Sequence, residues 1–333
     1  MRAARVPEAG AAFEVVDVET PEPAPGEVRI AVEACGICHS DAFVKEGAYP
    51  IDYPRVPGHE VAGRVDAVGD DVTAHGEGDR VGVGWHGGHC FECEACRRGD
   101  FQQCENARIT GIAYDGGYAE YMTAPAEALA AIPDDLDAVD AAPLLCAGVT
   151  TFNALRNTDA RPGDLVAVQG VGGLGHLGVQ YAHAAGFETV ALSRSPEKEE
   201  LALDLGADHF VNAAETDAAE ALRELGGADV VLATAPSAPA IESVIDGLGT
   251  DGRVVVAGVP GEEVGADAQS LVGSRSGIVG WASGDARDSQ DTLEFSDLRD
   301  ITPEIETYDL DEVSEAYDRM IDNEARFRVV LEP

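Results

Sequence analysis

The residues best equipped for chemistry lie in two short stretches near the N-terminus, Cys35-Gly36-Ile37-Cys38-His39-Ser40-Asp41 and Pro57-Gly58-His59-Glu60. Together they offer thiols, imidazoles, carboxylates and a hydroxyl. Thiolate and imidazole suit a soft metal, and a catalytic zinc takes three protein ligands and keeps a fourth position for water or substrate. Cys38 and His59 can supply two ligands. The best candidate for the third is Cys146, far downstream in Pro143-Leu144-Leu145-Cys146-Ala147-Gly148-Val149-Thr150. Read alone, Cys35-x-x-Cys38 is equally a packing or redox pair, because free cysteines are commonly buried.

The most specific motif is Cys90-x2-Cys93-x2-Cys96-x7-Cys104. It supplies four sulfurs within fifteen residues, enough to close a tetrahedral structural zinc with no open position. An iron–sulfur site or reactive thiols are the alternatives. In isolated peptides a structural zinc contributes ~10 kcal/mol to folding, and here it would hold a polar loop, Arg97-Arg98-Gly99-Asp100, that has no core of its own. The seven cysteines are an odd count, and Met1-Arg2-Ala3-Ala4-Arg5-Val6-Pro7 lacks the apolar core of a signal peptide. Metal ligation and free thiols in a cytoplasmic protein are therefore expected, not a disulfide framework.

A third chemistry-bearing stretch is Gly170-Val171-Gly172-Gly173-Leu174-Gly175. A lone G-x-G-x-x-G is weak, but this one follows an apolar strand pattern, Asp164 to Gln169, and opens a helix pattern, His176 to Ala185. Glycines there let backbone approach a pyrophosphate at a helix N-terminus. The next strand pattern, Glu188 to Leu192, ends in Ser193-Arg194-Ser195. An acid at this distance would hold the ribose 2′-hydroxyl of NAD, whereas an arginine suits a 2′-phosphate. The sequence thus favours NADP, with NAD the alternative.

These groups need elements to position them. A length of 333 residues suggests two domains on a prior of about 150 residues each. From Arg2 to Val32 short strands alternate with turns, punctuated by Pro21-Glu22-Pro23-Ala24-Pro25-Gly26. Glu27 to Ala34 alternates like a half-buried strand and delivers the chain to Cys38. Val61 to Gly69 is a second strand pattern immediately after His59, and Gly78 to Gly84 a turn and a third. After Cys146 the texture becomes alternating strand and helix, which argues for a parallel α/β sheet. The units Gly206 to Val211, Ala228 to Thr234 and Gly252 to Val259 complete a doubly wound sheet. The expected layout is 1–148 for a β-rich catalytic domain with its cysteine lobe at 88–106, 149–281 for a dinucleotide-binding domain, and 282–333 for a return to the first.

Composition narrows the partners. The 62 acidic and 22 basic residues leave a net charge of −40, and lysine occurs only at Lys45 and Lys198. Neither a nucleic-acid footprint nor attraction to an anionic membrane is compatible with that balance. The 45% hydrophobic content argues against disorder. A cytoplasm rich in salt, which screens self-repulsion within a few ångström, is the favoured setting. No apolar run of about 18 residues is evident, so no membrane span is expected.

The chain resembles zinc-containing alcohol dehydrogenases of the medium-chain dehydrogenase/reductase superfamily. The resemblance is carried by Cys-Gly-Ile-Cys-His-Ser-Asp at 35–41, Gly-His-Glu at 58–60, the four-cysteine lobe, Gly-Gly-Tyr-Ala-Glu-Tyr at 116–121 and Cys-Ala-Gly-Val-Thr-Thr at 146–151. It implies a GroES-like catalytic domain beside a Rossmann domain, and two zinc ions per chain. Cys38, His59 and Cys146 would hold the catalytic ion, with Glu60 a nearby carboxylate and Asp41 the acceptor that fixes the His59 tautomer. Ser40 would accept the alcohol proton and Thr150 would pack on the nicotinamide. His39, Lys198 and Arg328 would join Gly170, Gly172, Gly173, Leu174 and Gly175 around the cofactor, with Gly258 and Val259 near its ring. Trp85, His86, Val259 and Trp281 would wall a narrow pocket for small primary or aromatic alcohols. The implied reaction is reversible oxidation of an alcohol to an aldehyde or ketone, in a homodimer or homotetramer.

One departure stands out. Relatives often end the proton relay with a histidine three residues after the hydroxyl, where this chain has Phe43. The remaining histidines, His75, His176, His183 and His209, are expected to be ordinary surface or helix residues. Rival readings are a zinc-free quinone or enone reductase of the same fold, and a non-catalytic nucleotide-binding protein that senses redox state through Cys35 and Cys38.

Overall fold

The computed structural model describes residues 1–333. The chain divides into two compact units, Met1–Val149 with Gly284–Pro333, and Thr150–Ser283.

The first unit is built on short strands: β1 (Arg2–Arg5), β2 (Glu14–Asp17), β3 (Glu27–Ile37), β4 (Val61–Val68), β5 (Arg80–Val83), β6 (Tyr121–Pro125) and β7 (Leu129–Ala131). β1 and β2 form an antiparallel pair. The main sheet receives its far edge from the end of the chain. β3 is its longest strand, with burial alternating from Val28 to Val32 and then continuous from Ala34 to Ile37. That change of pattern follows from position: one face is solvated at the start of the strand, and both faces are covered where it approaches Cys38.

A single helical run, Ala138–Arg156, has the length and apolar character of a membrane span, but 72% of it is buried. It begins as a helix over Ala138–Pro143 that packs on β3 and β4, passes through one π turn at Leu144–Gly148, and continues as Val149–Arg156. Pro143 lacks an N–H, and the wider π turn directly after it carries Cys146. Such turns recur at functional sites because one extra residue re-aims a side chain.

The second unit holds β8 (Leu165–Gln169), β9 (Glu188–Ser193), β10 (His209–Asn212), β11 (Ala228–Ala233), β12 (Leu248–Val256) and β13 (Gly277–Gly280). All are parallel, in the order β10-β9-β8-β11-β12-β13. Relative to sequence this is 3-2-1-4-5-6, the doubly wound arrangement that places a dinucleotide at the reversal beside β8. All five residues of β8 are buried, as a strand covered by helices on both faces requires. The expected strand at Gly252 to Val259 starts earlier and ends at Val256; Val259 lies beyond it, 80% exposed.

The chain then adds β14 (Ile305–Asp309) and β15 (Arg328–Glu332) to the first unit, in the order β14-β15-β3-β4-β5-β7 with β6 also on β3. β15 pairs antiparallel with the last residues of β3, Val329 opposite Ile37. The C-terminus is thus brought directly alongside the Cys38 end of β3.

Candidate active site

Cys38 follows β3, and His59 and Glu60 immediately precede β4, so three chemistry-bearing residues gather where two paired strands meet. Cys146 arrives from the π turn. One ligand atom from each of Cys38, His59, Glu60 and Cys146 lies within 4.8 Å of all the others. The Cys38 and Cys146 sulfurs are 3.9 Å apart, close to the edge of about 3.8 Å expected between two thiolates at 2.3 Å from one tetrahedral zinc. His59 is 1% exposed, and its Nε2 is buried without a hydrogen-bond partner. An orphaned buried nitrogen is costly unless a ligand completes it. Donor chemistry, spacing and this nitrogen all fit a zinc ion.

Buried carboxylates set the charge of the cluster. Asp41 Oδ1 lies 3.0 Å from His59 Nδ1, and Asp41 Oδ2 accepts from Cys38 N at 2.8 Å. Burial pushes the His59 imidazole down, but Asp41 and Cys38 outweigh it and hold its pKa well above the usual value. The same buried negative charge that favours a proton here would favour a metal cation in its place, bound by the neutral imidazole through Nε2. The proximity of Cys146 drives the Cys38 thiol well below its ordinary value, and Cys38 drives Cys146 well above, so the pair favours one shared negative charge. Glu60 is fully buried; burial raises its carboxyl to about 7 against the pull of Arg328.

Arg328, expected at a cofactor pyrophosphate, is 4% exposed, with its guanidinium on Glu60 Oε1 and 3.4 Å from Ile37 O. Its observed partners lie within the first unit. Glu60 Oε2 has no partner. A Cβ at Gly36 would stand 2.0 Å from that oxygen, so the glycine in Cys35-Gly36-Ile37-Cys38 leaves room for the carboxylate.

An aromatic wall adjoins the cluster. The Trp85 ring meets His59 edge-on, with centroids 4.9 Å apart, and Phe43 stands 6.4 Å from Trp85 and 5.4 Å from Tyr49. Phe43 and Tyr49 are 38% and 40% exposed. His86 does not join this wall: it is buried, and its ring stacks on His89 at 5.2 Å, beside the cysteine lobe. His86 lies past the end of β5, where an isolated bridge to Ile109 holds it. His39 is exposed and Ser40 half-buried in the short turn that follows Cys38.

The four lobe cysteines also lie with their sulfurs within 4.8 Å of one another. Backbone N–H groups point at the sulfurs: Cys93 N to Cys90 Sγ at 3.4 Å, Cys96 N to Cys93 Sγ at 3.5 Å, and Asn106 N to Cys104 Sγ at 3.3 Å. N–H groups of Glu92 and Cys93 lower the Cys90 thiol to about 6. The arrangement fits a second, closed zinc site.

In the second unit the glycine loop joins β8 to a helix over Gly175–Ala184. Gly170 has φ +97°, and a Cβ on Gly175 would stand 1.7 Å from Gly170 O, whereas Gly172 faces open space. Gly173 and Leu174 continue the turn, half-buried. Lys198 Nζ donates to Val171 O at 2.6 Å, which ties this lysine to the same loop. Ser193 Oγ accepts from Ser195 N at 3.2 Å, and Arg194 is exposed. Gly258 N donates to Ala233 O at 2.9 Å, and Trp281 N to Val256 O at 3.0 Å, which holds both at the carboxyl end of the sheet. Thr150 is 8% exposed at the start of this unit. His176 is not a surface residue: it is fully buried, with Nδ1 2.9 Å from Gly172 O.

The family models agree with this architecture. An alcohol dehydrogenase GroES-like domain matches residues 24–134, and a zinc-binding dehydrogenase domain matches residues 173–298. The alcohol dehydrogenase patD of Penicillium expansum is 45% identical over 324 residues, covering 97% of this chain and 95% of its own. A cobalt- and zinc-bound thermostable alcohol dehydrogenase from Pyrobaculum aerophilum superimposes with TM-score 0.88 at 32% identity, over 100% of this chain and 99% of its own. A cinnamyl alcohol dehydrogenase from Sorghum bicolor gives TM-score 0.90 at 30% identity, over 99% and 97%. The fold and site define an oxidoreductase. The chain belongs to the zinc-containing alcohol dehydrogenases of the medium-chain dehydrogenase/reductase superfamily.

Proposed function

We propose that the protein is a zinc-dependent alcohol dehydrogenase that moves a hydride reversibly between a small primary or aromatic alcohol and NADP(H). The observation that carries this reading is the convergence of Cys38, His59 and Cys146 around the orphaned His59 Nε2. When bound, zinc supplies a Lewis acid for the substrate oxygen, and the nicotinamide supplies the hydride acceptor. Asp41 fixes the His59 ring so that Nε2 faces the other ligands, and two thiolates temper the charge there. Ser40 Oγ is the assigned acceptor of the alcohol proton. Phe43 has no titratable nitrogen, so its side chain cannot end a proton relay that starts at Ser40.

The wall of Trp85, Phe43 and Tyr49 supports flat or small substrates, since aromatic rings favour edge and offset contacts with one another. Ser193 in place of an acid at the end of β9, followed by exposed Arg194, supports NADP. Gly170, Gly172, Gly173, Leu174, Gly175, Lys198 and Gly258 are assigned to cofactor binding, with Thr150 at its ring. The net charge of −40 supports work in concentrated salt. The β13 edge, with Val279 44% and nearby Val272 80% exposed, supports a homo-oligomer.

The test is a titration in molar salt with NADPH and NADH, followed by nicotinamide fluorescence, with turnover of an aldehyde panel before and after chelation. Tighter NADPH binding and loss of turnover with the metal are expected. Tighter NADH binding overturns the Arg194 assignment alone, and turnover that survives metal removal overturns the zinc mechanism.

A further inference from the structure

The Gly116–Tyr121 stretch contains a residue that the reaction as described does not use. Tyr118 is 0% exposed, and its hydroxyl donates to Asp41 Oδ2 at 2.9 Å. The same oxygen accepts from Cys38 N at 2.8 Å, and the other faces His59 Nδ1 at 3.0 Å. A carboxylate gripped at one oxygen by a single donor can still pivot about it. Two donors on Oδ2 from different elements remove that freedom and leave Oδ1 directed at the imidazole.

The backbone around Tyr118 holds the other partner in register. Tyr118 N donates to Pro57 O at 3.1 Å and Gly117 N to Gly58 O at 3.0 Å, immediately before His59. Gly58 has φ +101°, and a Cβ there would stand 2.5 Å from the Tyr118 ring, so the ring packs directly on this backbone. Tyr118 therefore touches the supports of two ligands, the Cys38 amide through Asp41 and the residues that aim His59.

We infer that Tyr118 is a positioning residue of the catalytic metal site, acting through Asp41 to hold His59 in its ligating orientation. The inference rests on the reading that Cys38, His59 and Cys146 hold zinc. Removal of an outer partner of a metal-bound histidine typically weakens retention 10- to 100-fold. Loss of one hydroxyl, with the Cys38 amide still on Asp41, should lie near the lower end of that range.

The experiment follows zinc release from the holoenzyme to a chromophoric chelator, in wild type and Tyr118→Phe. The phase missing in Cys38→Ser identifies the catalytic site. Release from that site about tenfold faster, with lobe release unchanged and the cobalt-substituted absorption bands shifted, is the expected result. The effect should vanish in an Asp41→Asn background. Unchanged release, or equal acceleration at both sites, overturns the proposal and makes Tyr118 a packing residue. A wild type that releases zinc only from the lobe overturns the underlying zinc reading as well. If Tyr118→Phe does not fold, 3-fluorotyrosine at position 118 keeps the ring and strengthens the donor. A change confined to the catalytic phase then supports the proposal, and no change overturns it.

Discussion

The two sulfur clusters of the first unit are built in opposite ways. The lobe draws four cysteines from fifteen consecutive residues, leaves Cys90 and Cys93 half-buried, and has only two short helical turns, Glu94–Arg97 and Phe101–Gln103, as regular structure. Its sulfurs are held by neighbouring N–H groups. The catalytic cluster joins residues 108 positions apart, Cys38 and Cys146, and both strands that feed it are buried. Its side chains are oriented by buried neighbours: Asp41 on His59, Arg328 on Glu60. Local spacing groups the lobe's sulfurs, whereas strand pairing in the sheet brings the catalytic cluster together.

The sharpest way to break that comparison is Cys104→Ser. With few buried apolar residues to hold it, the lobe should unfold locally, lose one zinc and cost several kcal/mol of stability, below the ~10 kcal/mol of isolated zinc peptides because the surrounding unit remains. Calorimetry reads the loss, and kcat per folded molecule should stay within a factor of a few. A matching collapse of kcat would mean that the clusters are not independent.

Glu60→Gln probes the cluster that the strands assemble. It leaves the Arg328 charge buried without its partner, and removal of one member of a buried pair costs about 3–5 kcal/mol. Denaturant unfolding should show that loss for the single variant, and a much smaller one for Glu60→Leu combined with Arg328→Met. An equal loss in both would show that the pair stabilises the sheet in its own right. Next in size is Asp41→Asn, expected to weaken zinc retention at the catalytic site 10- to 100-fold. Chelator competition should find lobe retention unchanged, because Asp41 contacts none of its cysteines.

The same contrast explains what the sequence made legible. A cluster closed by local spacing can be read directly, and Cys90-x2-Cys93-x2-Cys96-x7-Cys104 needed no fold to be grouped. The doubly wound sheet was legible because β8, its glycine loop and the following helix are contiguous. Cys146 could be offered as a third ligand by its residue type, but nothing in the local pattern signals the π turn that brings it to Cys38. The Glu60–Arg328 pair, 268 residues apart in sequence, depends on β15 lying against β3, a pairing that periodicity does not encode. Likewise His176 has no sequence mark that distinguishes a buried loop anchor from a helix-surface residue, and Tyr118 none that announces its bond to Asp41.

The smallest effect sharpens the role of burial. Glu306 on β14 forms the half-buried counterpart of Glu60: Arg319 donates Nε to Oε2 at 2.9 Å and a second nitrogen to Oε1 at 3.1 Å, and Arg326 N adds a bond at 3.1 Å. The hydrogen bonds from Arg319 hold its carboxyl below the usual range, despite a modest opposing effect of burial. A depressed folded pKa contributes stability above the unfolded value of about 4.3, and that stability is lost as pH falls through the folded pKa. Partial exposure limits it to less than ~1 kcal/mol. Unfolding free energy measured from pH 6 to 3 should therefore fall slightly less steeply in Glu306→Gln than in wild type, with the curves converging at the acid end. Glu60 has the opposite sign, because burial raises its carboxyl instead. A large acid-dependent difference at Glu306 would show that half-buried pairs, not fully buried ones, govern the sheet to which β15 belongs.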